Sequence, residues 1–283
     1  MFLDFIEIGT SDFDTEIEKE DSKIGFSIEP VRHYLDKLPN KKGCTKLNVA
    51  VSDYVGNATI NYMSEENIDK LNLGDWVRGC NTINSYHPTV AIKLWEKGIH
   101  IKDIVSSYNV ECKPLLQIMT DANVSGVYYL KIDTEGHDTA ILKHFYTKIN
   151  NNDLMPHVIL FESNVLSDKN KVKEIINILE YIGYDLIQSD DDTLLKLNLI
   201  KLRNKSKFTE KIDNYYIIDY PLGYNPDDLP HENTLEKAQE YCLKNGHHGV
   251  TYQNNRYEVR AGKYIQYYND NSNNSSVSSW VYI

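Results

Sequence analysis

At 283 residues, with 41% hydrophobic and 25% charged side chains, the chain is long enough for a full buried core and too apolar for a disordered tail. Its formal charge of −11 repels polyanions, which makes nucleic acid and anionic membrane poor partners, and no local basic patch offsets this. Cys44, Cys80, Cys112 and Cys242 are scattered without a C-x-x-C pair, and neither a leader peptide nor a run of roughly 18 apolar residues is present, so a soluble cytoplasmic protein with reduced thiols is expected.

The first apolar run, MFLDFIEIG, reads as a strand that feeds the loop TSDFDT. A dinucleotide-binding turn uses three glycines so that backbone N–H groups close on a pyrophosphate. Here only Gly9 is present, and Asp12 and Asp14 put negative charge where the phosphates would lie. At the low effective dielectric of a pocket that repulsion is worth several kcal/mol. The strand end Glu7, Gly9, Thr10, Ser11 and Asp12 therefore suits a cation, and S-adenosylmethionine carries an ammonium and a sulfonium with no phosphate.

IGFSIE, the second strand, ends in Glu29, where a carboxylate accepts the ribose hydroxyls of either NAD or S-adenosylmethionine; Pro30 then opens the helix VRHYLDKL. KLNVAVSD is the third strand, and its Ser52 and Asp53 are candidates for the adenine edge. Each acid alone reads equally well as a helix cap or a solvated turn. Their joint placement at successive strand ends points to a ligand, because ligands of open α/β sheets bind beyond the carboxyl ends of the strands.

The next stretch, LGDWVRGCNTINSYHPTVAIKLWEKGIH, is longer than a crossover needs. Its Trp76, Arg78, Asn81 and His87 combine a stacking platform with polar donors, the equipment of a carbohydrate or polar acceptor site; a lid without substrate contact is the alternative. VYYLKID, the fourth strand, leads into TEGHD. Asp133 is placed to hold a cofactor ammonium or to receive a proton, Glu135 to fix the turn or bind substrate, and His137 has the intrinsic pKa of a general base. The helix DTAILKHFYTKI follows, with Ala140, Ile141, Phe145 and Ile149 on one face.

The fifth strand, HVILFES, ends in Glu162. With Asp133 it forms a candidate Mg²⁺ pair, set against the simpler account of Asp133 paired with a cofactor cation. After the helix NKVKEIINILEYIGY, closed by Gly183, the strands YDLIQS and TLLKLNLIK are separated only by Asp190, Asp191 and Asp192. A parallel crossover needs a dozen residues or more, so these two form an antiparallel hairpin. The count is seven strands, mostly parallel, in an α/β sheet.

Residues 1–205 are read as this domain and residues 206–283 as a small tyrosine-rich α+β domain. Its parts are a linker, PLGYNPDDLP, a helix TLEKAQEYCLKN with Asn233 as cap, Glu236 at the capping-box position and Gly246 at its end, and a hairpin GVTYQNNRYEVR about Asn254 and Asn255. KYIQYY and SSWVYI add strands, separated by the polar stretch NDNSNNSS. The tyrosines and Trp280 serve as that domain's core, as a homodimer surface, or as a glycan-stacking face.

Taken together, IEIGTSDFDT, FSIEPVRHYLDKL, NVAVSDYVGNATIN and above all YLKIDTEGHDTAIL, close to a Leu-Lys-Ile-Asp-x-Glu-Gly signature, resemble the FkbM-type methyltransferases over roughly residues 2–200. The resemblance implies a Rossmann-like class I methyltransferase sheet and an S-adenosylmethionine-dependent O-methyltransferase, often acting on a sugar or glycan hydroxyl. The insert DWVRGCNTINSYHPT is associated with forms found in large DNA viruses. Two other classes stay open: a binding or scaffold protein that keeps this fold without turnover, and a nicotinamide-dependent oxidoreductase.

Overall fold

Seven strands form the central sheet: β1 (Phe2–Ile8), β2 (Gly25–Ile28), β3 (Cys44–Leu47), β4 (Gly126–Ile132), β5 (Val158–Glu162), β6 (Tyr184–Ser189) and β7 (Asp192–Leu197). Their spatial order is β6-β7-β5-β4-β1-β2-β3. The computed structural model describes residues 1–19, 21–149, 154–199, 201, 208–209, 211–222, 234–268 and 277–281. β1 runs parallel to β2 and β4, β2 to β3, and β4 to β5, while β7 is antiparallel to both β5 and β6. The short aspartate turn thus does what its length requires. Strand order reverses between β1 and β4, the place where an open sheet of this kind leaves a crevice at its carboxyl end.

The strands are apolar because both faces are covered: Leu3, Phe5, Ile6 and Ile8 of β1 are all buried. Helices Leu115–Asp121, Asp138–Lys148 and Lys169–Ile182 supply much of the cover, and Ile118, Ile141, Leu142, Phe145, Ile175 and Leu179 join one hydrophobic cluster with the sheet. Each such side chain contributes about 1.5–3 kcal/mol on burial. Ile141 and Phe145 of the 138–148 helix lie on its buried face as the periodicity predicts, but Leu142 and Tyr146 complete that face, with Ala140 and Ile149 only half-buried.

The third strand differs from expectation. KLNVAVSD is not one strand: β3 ends at Leu47, and the Asn48 side chain then donates to the carbonyls of Glu29 at 2.9 Å and Pro30 at 2.8 Å. Ala50–Val51 pairs instead with Ser106–Lys113 in a second sheet, completed by Gly56–Tyr62 and Thr82–Ile83. This sheet and a small core of Met63, Ile68, Val77, Cys80, Val90 and Leu94 make up the long insert. A 3₁₀ turn at Asp75–Arg78 and a helix at Pro88–Glu96, with Pro88 in its first turn, carry its functional candidates.

C-terminally, Ile212–Asp213, Ser278–Val281, Gly249–Gln253 and Arg256–Arg260 form a four-stranded sheet, and Tyr215–Ile217 pairs with Ile265–Tyr267. Asn254 and Asn255 both have positive φ, as a two-residue hairpin turn demands. The helix is Leu235–Asn245; Thr234 caps it, accepting from Lys237 N at 3.3 Å, and Gly246 ends it in the left-handed region. Asn233, residues 223–230 of the expected linker and the stretch NDNSNNSS lie outside the described residues. The tyrosines of this segment reach the central sheet: the Tyr215 ring lies 4.3 Å from that of Tyr128, and its hydroxyl donates to Asp4 Oδ1 at 3.1 Å. Ile212, Tyr215, Ile217, Ile265 and Val281 belong to the same hydrophobic cluster as the sheet. Among the described residues no helix is long and apolar enough to cross a membrane.

Candidate active site

The crevice at the sheet's carboxyl end begins with a contact that explains the single glycine. Gly9 follows β1 with φ +78°, and a Cβ placed on it would sit 1.8 Å from the carbonyl oxygen of Asp133 at the end of β4. No other residue fits there. Beyond it the chain turns tightly: Ser11 N donates to Glu29 Oε2 at 2.8 Å, and Ser11 Oγ donates to the Arg78 carbonyl at 3.1 Å. The loop is thereby clamped between β2 and the insert.

Two hollows adjoin this contact. The larger, about 340 Å³, is lined by Gly9, Thr10 and Ser11, by the rings of Phe13 and Trp76, by Cys80, His87 and Lys131, and by Asp133, Glu135 and Glu162, with Asn164, Val165 and Leu166 on the β5 side. The smaller, about 30 Å³, lies among Ile8, Gly9, Glu29, Pro30, Asn81, Ile83, Asp133 and Thr134. Gly9, Gly79 and Asp133 belong to both.

Electrostatically the larger hollow is acidic, with one lysine or arginine, Lys131, against four acidic residues among the described lining residues. Its Lys131 donates to the carbonyl and carboxylate of Asp14 at 2.7 and 3.0 Å, and this cation holds the Asp14 carboxyl below its usual range despite some burial. Asp133, Glu135 and Glu162 bring carboxylate oxygens within 4.8 Å of one another. Desolvation first, and then the neighbouring acids, push Asp133 up to about 6 and Glu162 up to about 9. Glu162 Oε2 is buried with no hydrogen-bond partner. Glu135 sits at φ +54°, a left-handed conformation for a non-glycine residue and a local strain at the turn. Its Oε2 lies 3.0 Å from His87 Nε2. Because His87 Nδ1 accepts from Val90 N at 3.4 Å, the ring proton is on Nε2 and is donated to Glu135.

In the smaller hollow Glu29 is almost wholly buried and accepts from the N–H groups of Ser11 and Val31. Burial dominates and lifts its carboxyl to about 7. Asn81 donates to the Arg78 carbonyl at 2.8 Å, while its Oδ1 is buried and unpartnered, as are Asp12 Oδ1 and Arg78 Nε. Orphaned buried polar atoms are costly, and of these three Asn81 Oδ1 belongs to a residue that lines the hollow, where a polar ligand would offset it.

A family model, that of the methyltransferase FkbM domain, matches residues 7–186. The chain belongs to the FkbM methyltransferase family. No curated protein and no solved structure matches it.

Within the FkbM domain the predicted residues separate. Gly9, Thr10, Ser11, Glu29, Pro30, Asp133 and Glu135 line the hollows. So do Trp76, His87 and Asn81, although Asn81 faces the smaller hollow and not the larger. Glu7 does not line either hollow: it is 1% exposed and is occupied by Ser27 Oγ and by the N–H groups of Glu16 and Ile17. Asp12 pairs with Lys37 at 3.0 Å and Arg78 at 3.5 Å, so Arg78 holds the first loop and does not line the cavity. His137, Ser52 and Asp53 form a node of their own. Ser52 Oγ lies 2.8 Å from His137 Nε2 and 3.1 Å from Asp53 Oδ1, which removes all three from the hollows. Burial lowers the His137 pKa and favours its neutral form. Asp138 is a tie: it accepts from Thr134 Oγ1 at 2.9 Å and Glu162 N at 3.2 Å.

The residues of the larger hollow not foreseen include Phe13, Gly79, Cys80, Lys131 and the run Asn164, Val165 and Leu166. Lys131 had a signal, since it is two residues before Asp133 on an alternating strand. Asn164 to Leu166 follow β5 at the same sheet end as the others. Asp133, Glu135 and Glu162 offer up to three carboxylates to a cation such as Mg²⁺, which takes six oxygens and usually keeps several of them as water. No step below uses a metal.

Proposed function

We propose that this FkbM methyltransferase transfers a methyl group from S-adenosylmethionine to a hydroxyl of a sugar, glycan or small polar molecule. The observation that carries the reading is the convergence of the Gly9 loop, Glu29, Asn81 and Asp133 at the point where strand order reverses, beside an acidic cavity of about 340 Å³. In the donor site Glu29 takes the ribose hydroxyls, Asn81 Oδ1 accepts from a base amino group, and Asp133 faces the positive end. Bound there, S-adenosylmethionine supplies a methyl carbon open to displacement by an oxygen.

What the chain adds is position and a proton acceptor. Asp133 belongs to both hollows, so it meets donor and acceptor at once; a carboxyl raised to about 6 is ionised at neutral pH yet basic enough to take a hydroxyl proton as attack proceeds. His87 fixes Glu135 by its Nε2–H, and the Phe13 and Trp76 rings give a flat wall on which a sugar face stacks. The crevice near Glu29, at about 30 Å³, is smaller than a nucleoside, so entry of the donor requires its walls to part.

That tightness is also what favours a second reading, a binding protein that has kept the fold without turnover. Titration calorimetry with S-adenosylmethionine separates the two, and incubation with labelled donor and a panel of sugars, glycans and small alcohols tests the reaction. Heat of binding with transfer to hydroxyl oxygen is expected. Absence of heat from folded protein would favour the silent reading, and transfer confined to peptide amines would end the sugar assignment.

A further inference from the structure

The larger hollow holds more acidic side chains than methyl transfer to a neutral alcohol requires. Of its four described acidic residues, Asp14 pairs with Lys19 and with Lys131, the only lysine or arginine among the described lining residues, and Lys131 also partly offsets the charge of Asp133. Asp133, Glu135 and Glu162 remain, and only Asp133 also borders the smaller hollow. The donor therefore accounts for one carboxylate of the three. Glu135 and Glu162 face a space that offers no further lysine or arginine among the described lining residues. Glu162, with a buried, unpartnered Oε2 and a carboxyl raised to about 9, is protonated near neutral pH and gives up that proton to a cation that enters.

The aromatic part of the same lining has a matching chemistry. Phe13 and Trp76, each 40% exposed, border the same cavity, and both rings already carry a cation on one face: Arg78 lies 5.7 Å from the Phe13 centroid and Lys93 5.7 Å from that of Trp76. Aromatic faces opposite carboxylates bind organic ammonium groups, by quadrupole attraction on one side and charge-assisted hydrogen bonds on the other. An ammonium donating to two oxygens at about 2.8 Å holds them roughly 4.6 Å apart, and carboxylate oxygens of Glu135 and Glu162 lie within 4.8 Å of each other.

We propose that the acceptor carries a protonated amine, seated beside the Phe13 and Trp76 rings on the carboxylates of Glu135 and Glu162, so that its hydroxyl is presented to Asp133 and the donor: an amino sugar or an amino alcohol. This rests on the larger hollow being the acceptor site. The amine anchors and the neighbouring oxygen reacts; the hydroxyl proton goes to Asp133 as the new C–O bond forms and the donor's C–S bond breaks.

The test is calorimetric binding of glucosamine and N-acetylglucosamine to the full chain near neutral pH, which needs no turnover, followed by transfer of labelled methyl to each. The free amine is expected to bind at least about tenfold tighter, a difference of about 1.4 kcal/mol. That preference should shrink toward unity in Glu162→Gln and, separately, in Trp76→Ala, with the product methylated on oxygen. Equal binding of the two sugars, or a preference unchanged in both variants, overturns the proposal while leaving methyl transfer to hydroxyls standing. Binding of Mg²⁺ or Mn²⁺ alone at micromolar concentration, lost in Glu162→Gln, would also overturn it by giving the carboxylates to a metal. Absence of donor binding with the amine preference intact would count against the enzyme reading only.

Discussion

In the C-terminal segment, Glu258 is 1% exposed and both its oxygens are engaged, by Arg256 Nε at 2.8 Å, Arg260 Nη2 at 2.5 Å and the Tyr220 hydroxyl at 2.8 Å. At the ends of β4 and β5, Asp133, Glu135 and Glu162 stand together with each other and with His87, and no arginine or free lysine lines their cavity among the described residues. Both are sequestered acids on one chain. One is balanced where it was made, which stabilises a small sheet; the other is left in deficit, and the fold tolerates raised pKa values and an orphaned oxygen to keep it so. Self-sufficiency marks structure here, and deficit marks a site.

The contrast is broken most severely by Asp133→Asn. Transfer should fall by about 10²–10⁴-fold while thermal stability holds or rises, since a repelling charge is lost; single-turnover transfer and melting of the same sample measure both. In the unsubstituted protein, transfer should decline as pH falls below about 6, because Asp133 must be ionised to accept the proton. Glu258→Ala should do the reverse: a loss of about 3–5 kcal/mol in denaturant unfolding, from two stranded arginines, with transfer per folded molecule retained. If stability is unmoved, the paired set is not what secures that sheet.

A smaller effect is expected of Glu162→Gln. The folded protein holds this carboxyl at about 9, above its usual range, so its contribution to stability is complete below that usual range and is lost as pH rises through about 9. Glutamine never ionises. The variant should melt about 2–4 °C higher at roughly pH 8 and no differently at roughly pH 4; parallel melting curves across that span would argue against the like-charge account. Smallest of all, His137→Ala should change transfer far less than the roughly hundredfold that loss of a general base brings. A drop of that size would return His137 to the chemistry.

The sheet was legible because its signals are local. Apolar runs bounded by polar turns, and the three aspartates that leave no room for a crossover, fix seven strands and an antiparallel pair without distant information. That Asp133, Glu29 and Gly9 come together at the sheet's carboxyl end was legible because each ends a strand. The second sheet was not: Ser106–Lys113 is half polar, and Ala50–Val51 is covalently continuous with a run that starts in the other sheet. His137 misled because its type suits a base, whereas its partner Ser52 is 85 residues away and nothing local reveals it. Glu7 misled for the converse reason, since its strand-end position is right but three donors from two other segments occupy it.

Gly9, Gly79 and Asp133 form a party wall between the two hollows. Whatever moves that partition from one side is felt on the other, and linkage makes the influence mutual: the factor by which the first guest helps or hinders the second is returned in full. Such masonry suits an enzyme whose partners meet in a ternary complex, and it disfavours a relay in which the protein itself would carry the methyl group between visitors.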